Sequence, residues 1–129
     1  MNKILVEVSV GELLDKISIL EIKSEKIKDP EKLNYIKEEY KILKDQLNTN
    51  IKNYNEIESL YNSLKEINSK LWVIEDDKRL CENNSEFGEK FIKLSRDVHF
   101  LNDDRARLKL EINNKTGSKI KEIKEYTKY

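Results

Sequence analysis

The sequence predicts an all-α protein: an antiparallel helical bundle built on a long hairpin of its third and fourth helices, with a short N-terminal extended strand. Three observations carry this. Apolar residues recur at alternating spacings of three and four along most of the chain. Glycine and proline number only three and one in 129 residues, too few for the frequent turns of a β-sandwich. Charged residues make up 39% and hydrophobic ones 37%, the balance of long helices with solvated outer faces. This length matches one domain, 1–117, followed by a short amphipathic or flexible tail, 118–129.

Residues Ile4 to Val8 have strand chemistry, β-branched and aliphatic, yet the chain offers no second strand to pair with them. They form an extended arm or pair with a copy of themselves in a dimer. Ser9 caps the first helix, with Glu12 three residues on completing a capping box. Leu13, Ile17, Leu20 and Ile27 mark its apolar face. Asp29-Pro30 is an N-cap followed by proline at the first helical position, and Leu33, Ile36, Tyr40, Leu43 and Leu47 form the second seam. After the polar stretch Asn48 to Asn50, the third seam runs through Ile57, Leu60, Leu64, Ile67, Leu71 and Ile74. Asn83-Asn84-Ser85 reads as a turn. The fourth seam comprises Phe87, Phe91, Leu94, Val98, Leu101, Leu108 and Ile112, with Gly117 as its C-cap.

Composition narrows the function classes. Twenty-five basic residues balance twenty-five acidic ones, and the signs interleave. Nucleic-acid binders carry a basic surplus or stripe, so no nucleic-acid partner is expected. One cysteine, Cys81, excludes an internal disulfide and fits a reducing compartment, and the apolar start is too short for a membrane span. The expected location is cytoplasmic, without membrane insertion. Lysine greatly outnumbers arginine, which makes Arg79, Arg96, Arg105 and Arg107 informative.

Several polar residues sit awkwardly in this scheme. A hairpin turning near Ser85 sets Glu75 level with Arg96, Trp72 with His99, and Glu66 with Arg105. Arg105 occupies a seam position between Leu101 and Leu108, where an unpaired charge costs several kcal/mol or more. Either it forms a buried ion pair, with Glu66 or with an acid of the first helix such as Asp15, or it awaits an anionic ligand. Lys16 and Lys23 lie beside the apolar face of helix one, and Lys109 follows Arg105 by one turn. With Arg79 these are placed to converge on a phosphate or carboxylate; singly, each is a side chain that snorkels to water. The acidic runs Glu75-Asp76-Asp77 and Asn102-Asp103-Asp104 have the chemistry to hold Mg²⁺, as in all-helical nucleotide pyrophosphohydrolases. The motif of those enzymes has a further acid where Arg79 stands, and the second run lacks their Glu-x-x-Asp spacing. Glu75 to Arg79 and Asp103 to Arg107 also read as i,i+4 pairs on a solvated face, so no metal is expected. His99 reads as a packed residue, and no glycine-rich phosphate loop or cofactor motif is present.

Val8-Ser9-Val10-Gly11-Glu12 running into Asp15 to Lys23, Leu71 to Asp77 with Arg79, and Asn102-Asp103-Asp104-Arg105 through Lys109 are three specific stretches. Together they resemble a group of short bacterial and phage proteins catalogued as a domain of unknown function. Members of that group occur beside, or fused to, proteins of surface-polysaccharide synthesis, so the resemblance implies a context without an activity. Asp104-Arg105-Ala106-Arg107-Leu108 is also similar in flavour to the small all-helical chorismate mutases. The order of basic residues differs from theirs, and no residue role transfers.

The reading that results is a homo-oligomeric helical module, dimeric through its N-terminal arm. Its polar inter-helical site takes an anionic small ligand or partner and is formed by Lys16, Lys23, Glu75, Asp76, Arg79, Asn102, Arg105 and Lys109. The alternative is a small helical enzyme acting on an anionic substrate at Glu75, Asp76, Arg79, Arg105 and Lys109. A purely structural adaptor is third.

Overall fold

The computed structural model describes residues 2–129. Four helices occupy it, α1 (Val10–Lys26), α2 (Pro30–Asn50), α3 (Glu58–Asn83) and α4 (Glu89–Thr116), with a 3₁₀ turn at Tyr54–Glu56. The chain is 74% helical. The breaks fall at the caps that chemistry favours. Ser9 Oγ accepts from the Glu12 amide at 3.1 Å, and Asp29 Oδ2 accepts from the Lys32 amide at 3.0 Å, with Pro30 opening α2. Gly117 ends α4 in the left-handed region, φ 68°, where a side chain would be strained. The expected capping box is only half formed, because the Glu12 carboxylate turns to Lys109 and Lys16.

Residues 2–9 carry no strand, which corrects the expected N-terminal β-segment. They form neither helix nor strand, and Ile4 and Leu5 are each 85% exposed. A strand exists through ladder hydrogen bonds, and nothing among the described residues supplies an edge.

α1 packs against each of the other three helices, whereas α2 lies against α1 alone among them. That central position changes α1. Gly11, Leu14, Asp15, Ile17, Ser18, Leu20 and Ile22 are all buried, far more of its circumference than one apolar stripe. The core joins Leu14 and Ile17 to Leu47 of α2, to Ile57, Tyr61 and Leu64, and to Leu108 and Ile112 of α4. It therefore sits where α3 begins and α4 ends. The opposite half of the α3/α4 hairpin has no third helix over its outer face, and Cys81 is the one buried residue of α3 beyond Leu71.

Candidate functional site

α1 meets α4 through an unusually close approach at Gly11. A Cβ there would lie 2.5 Å from the Lys109 carbonyl oxygen and 2.9 Å from Asn113 Oδ1. The missing side chain lets the Gly11 amide donate to Asn113 Oδ1 at 2.7 Å, in a position where both residues are buried. One turn further along α1, Asp15 faces α4 with its side chain only 2% exposed. A carboxylate so deeply buried needs every lone pair engaged.

Arg105 supplies most of what is required. Its Nε donates to Asp15 Oδ1 at 2.9 Å and its Nη2 to Oδ2 at 2.6 Å, a two-pronged contact matching guanidinium and carboxylate planes. Asn68 of α3 donates from Nδ2 to Asp15 Oδ1 at 2.9 Å and to Ser18 Oγ at 2.8 Å. Ser18 in turn donates to the Asp15 carbonyl at 2.7 Å. Burial alone would raise the Asp15 pKa, but hydrogen bonds from Arg105 and Asn68, with the charges of Arg105 and Lys109, hold it below its usual value. The Arg105 pKa is pushed up, chiefly by its hydrogen bonds to Asp15. No buried side-chain polar atom among the described residues lacks a partner.

Of the two partners open to Arg105, the structure thus selects Asp15. Glu66 pairs with Lys70 instead, at 3.6 Å. Lys109 is nearly buried and bridges Glu12 at 2.7 Å and Glu122 of the tail at 2.8 Å. Desolvation opposes its charge, yet the hydrogen bonds it donates to these two carboxylates keep its pKa above the ordinary value. The tail forms no helix. It is tied down at Glu122, at Ser118 Oγ, which accepts from the Val10 amide at 3.3 Å, and at Tyr129, whose hydroxyl donates to Asp103. His99 packs against Phe100 and Tyr129.

A groove of about 380 Å³ opens beside this network, between α1 and the hairpin. Its walls include Ile19, Leu71, Trp72, Glu75, Asp76, Arg79 and Arg105. Four of the eight site residues read from sequence therefore share one surface. Arg79 pairs with Glu75 at 2.9 Å, as the i,i+4 spacing suggested, and not with an acid of another helix. Arg96, level with Glu75, lies over the Phe100 ring. Arg107 takes Asp104 and Glu111 as partners in place of Asp103. Asn102 touches the site through a 3.4 Å contact from Arg105 Nη1. Lys109 is withdrawn into the α1/α4 seam. Lys16 is exposed and paired with Glu12 at 3.8 Å, and Lys23 stands in the last turn of α1; neither lines the groove.

Sequence reasoning missed Asn68 and Asn113, the amides that complete the buried network. Their only signal is position: Asn68 falls between Leu64 and Leu71, and Asn113 immediately follows Ile112. Among the described residues, no three His, Cys, Asp or Glu side chains gather into a metal-binding group. No helix is long and apolar enough to cross a membrane.

Fold and site together define a small four-helix module braced by a buried carboxylate–guanidinium pair, with a mixed-charge groove along one side of the brace. The chain belongs to a family of unknown function, DUF6165, whose model matches residues 4–129. The assignment agrees with the resemblance carried by the three polar runs. Comparison with curated proteins and with solved structures finds no match.

Proposed function

We propose that the protein is a binding module whose groove takes a sugar-like ligand bearing a single anionic group, in the setting of cell-surface polysaccharide synthesis. The observation that carries this reading is the state of Arg105. Its guanidinium is held on one edge by buried Asp15, and three of its five N–H groups are engaged; the rest of a side chain 29% exposed borders the groove. An arginine fixed in this way binds without losing its own rotamer freedom. Trp72 offers an aromatic face, and Glu75 and Asp76 offer acceptors for hydroxyl groups.

Charge selects among ligands. Arg79 and Arg105 are balanced by Glu75 and Asp76, and Asp15 beneath adds one negative charge. The repulsion grows with ligand charge: a polyphosphate meets it several times over, a glycosyl monophosphate with close to two charges meets less, and a uronate brings one charge and several hydroxyls.

A second reading, a structural module with no small ligand, is favoured by the complete internal satisfaction of the buried polar atoms. Thermal shift separates the two. Glucuronate, galacturonate and glucose 1-phosphate are titrated against wild type, Arg79→Met and Trp72→Ala. Both substitutions fall on partly exposed groove side chains and leave the Asp15 network intact. The binding reading expects stabilisation of wild type that both variants lose, about 2.7 kcal/mol at a hundredfold excess over Kd. Equal shifts in all three proteins, or none with any compound, would leave the structural module standing.

A further inference from the structure

Beyond Ser118 the C-terminal tail is held to the helices by side chains. Among the described residues, no backbone–backbone hydrogen bond involves 119–129, and Ile123, Tyr126 and Tyr129 are each at least 70% exposed. Two posts on α4 secure it. At the first, Lys109 Nζ donates to Glu122 at 2.8 Å. At the second, the Tyr129 hydroxyl donates to Asp103, and its ring meets those of His99 and Phe100 with centroids 5.3 and 5.2 Å apart.

The tail fits these posts loosely. From the level of Lys109, Asp103 and His99 lie about 9 and about 15 Å along α4. Seven residues, the separation of Glu122 and Tyr129, can reach about 23 Å. The surplus bows away from the helix and encloses a cavity of about 660 Å³, lined by Val98, His99 and Asn102 of α4 and by Tyr126 and Thr127 of the tail. Charge does not oppose release. Lys109 retains Glu12 at 2.7 Å, Arg105 retains Asp15, and Glu122 leaves with Lys124, 3.6 Å from it. Neither side is left with an unpaired buried charge, so departure escapes the penalty that breaking the Asp15–Arg105 pair carries.

We propose that the tail is an autoinhibitory strap, occupying in cis a docking face on α4 for an acidic segment of a partner protein. The face presents a nearly buried ammonium, Lys109, and beyond it an aromatic seat of His99 and Phe100 with Asp103 as acceptor. A carboxylate and a tyrosine are what the tail brings to these posts, so the tail defines the chemistry of what displaces it. In an extended partner segment, an acid and an aromatic about three to five positions apart bridge the same gap. Less slack chain is then ordered than in the seven-residue bow, which offsets part of the tail's advantage of being tethered. This face is independent of the Arg105 groove.

Two measurements on the full chain test the strap. In wild type, NMR relaxation of the tail amides gives order parameters above about 0.6; in Glu122→Gln/Tyr129→Ala they fall below that value while the helices stay near about 0.85. Order retained in the helices separates release of the strap from loss of folding. Fluorescence anisotropy then reads the face, with a labelled peptide of residues 118–129 as the probe. A tail that covers the face about nine-tenths of the time weakens the probe's apparent affinity about tenfold, so the double variant binds about tenfold tighter than wild type. The same peptide carrying Glu122→Gln loses most of that binding. A wild-type tail already below about 0.6, or a variant tail that stays ordered, would overturn the proposal. So would a probe that binds both proteins equally or neither, or one indifferent to its own Glu122. Wild-type dimers that excess free peptide dissociates would assign the face to the tail of a second copy instead.

Discussion

Replacing Arg105 by methionine removes the main partner of a carboxylate whose side chain is 2% exposed. Methionine fills much of the same volume, so the loss is chiefly electrostatic. Asp15 keeps the Asn68 hydrogen bond at 2.9 Å but loses those at 2.9 and 2.6 Å from Arg105. Breaking a buried pair from one side costs about 3–5 kcal/mol near neutral pH. The pH dependence then distinguishes this cause from simple loss of packing. In wild type the folded Asp15 pKa lies below its ordinary value of 3.8. Its contribution is present above the unfolded value and is lost only as pH falls through the lower folded one, that is, below about pH 4. Without Arg105, burial dominates and the folded pKa rises above the unfolded value. The variant's Asp15 then opposes folding increasingly as pH climbs from about 4 to about 7, the reverse of the wild-type slope. Urea unfolding at both pH values measures it, comparing wild type, Arg105→Met and Asp15→Asn/Arg105→Met. The double variant, which keeps an acceptor for Asn68, recovers most of the loss at pH 7. A loss below about 1 kcal/mol at pH 7, or one equal at both pH values, would refute the buried-brace argument.

Two further outcomes follow from close packing. Gly11→Ala places a methyl 2.5 Å from a backbone oxygen, which a side-chain rotation cannot relieve, so α1 must shift from α4. Thermal unfolding should register a loss of about 1–3 kcal/mol, and an unchanged Tm would refute the close approach of α1 to α4. Cys81 is 1% exposed, so its reaction with a thiol reagent under native conditions should proceed only through opening of the hairpin tip. Labelling as fast as in the unfolded chain would contradict its burial.

Much of this architecture could be read from residue spacing because its causes are local. Ser9, Asp29 and Gly117 mark helix ends through backbone groups within a few residues of themselves. The seam of α2 follows from an apolar stripe that meets one neighbour, and that of α3 from a stripe shared by α1 and α4. α1 escaped the same logic. A helix enclosed by three others has no single stripe, so Leu14 and Ile22 are buried while Leu13 and Ile27 are only partly covered. Its tight packing rests on Gly11, Asp15 and Ser18, at spacings of four and three, which are small or polar and invisible to a hydrophobic pattern. Phe87 fitted the fourth seam but lies in the turn before α4, 54% exposed, because the helix starts only at Glu89. For the site, the oddity of Arg105 in a seam was legible, and its groove neighbours Glu75, Asp76 and Arg79 were found with it. Lys109 was not legible as a buried bridge, since its two carboxylates come from α1 and from a tail without helical periodicity.

The contact between Gly11 and Asn113 also has a temporal side. Of the four helices, the one at the centre of the molecule leaves the ribosome first, and the last turns of α4 that cover it leave last. Until then Leu14 and Ile17 have α2 and the start of α3 for shelter, but neither Leu108 nor Ile112. Closing a loop of about a hundred residues costs only modestly more than closing one of fifty, yet it cannot begin before the last turns of α4 have been made. A ribosome stalled before Asn113 should therefore display a compact α1–α2–α3 intermediate with a sticky flank. The hydrogen bond from the Val10 amide to Ser118 also sets the start of α1 beside the end of α4. Linking the end of α4 to the start of α1 and reopening the chain at the exposed turn around Ser85 should preserve the helices while placing α4 before α1 in the order of synthesis.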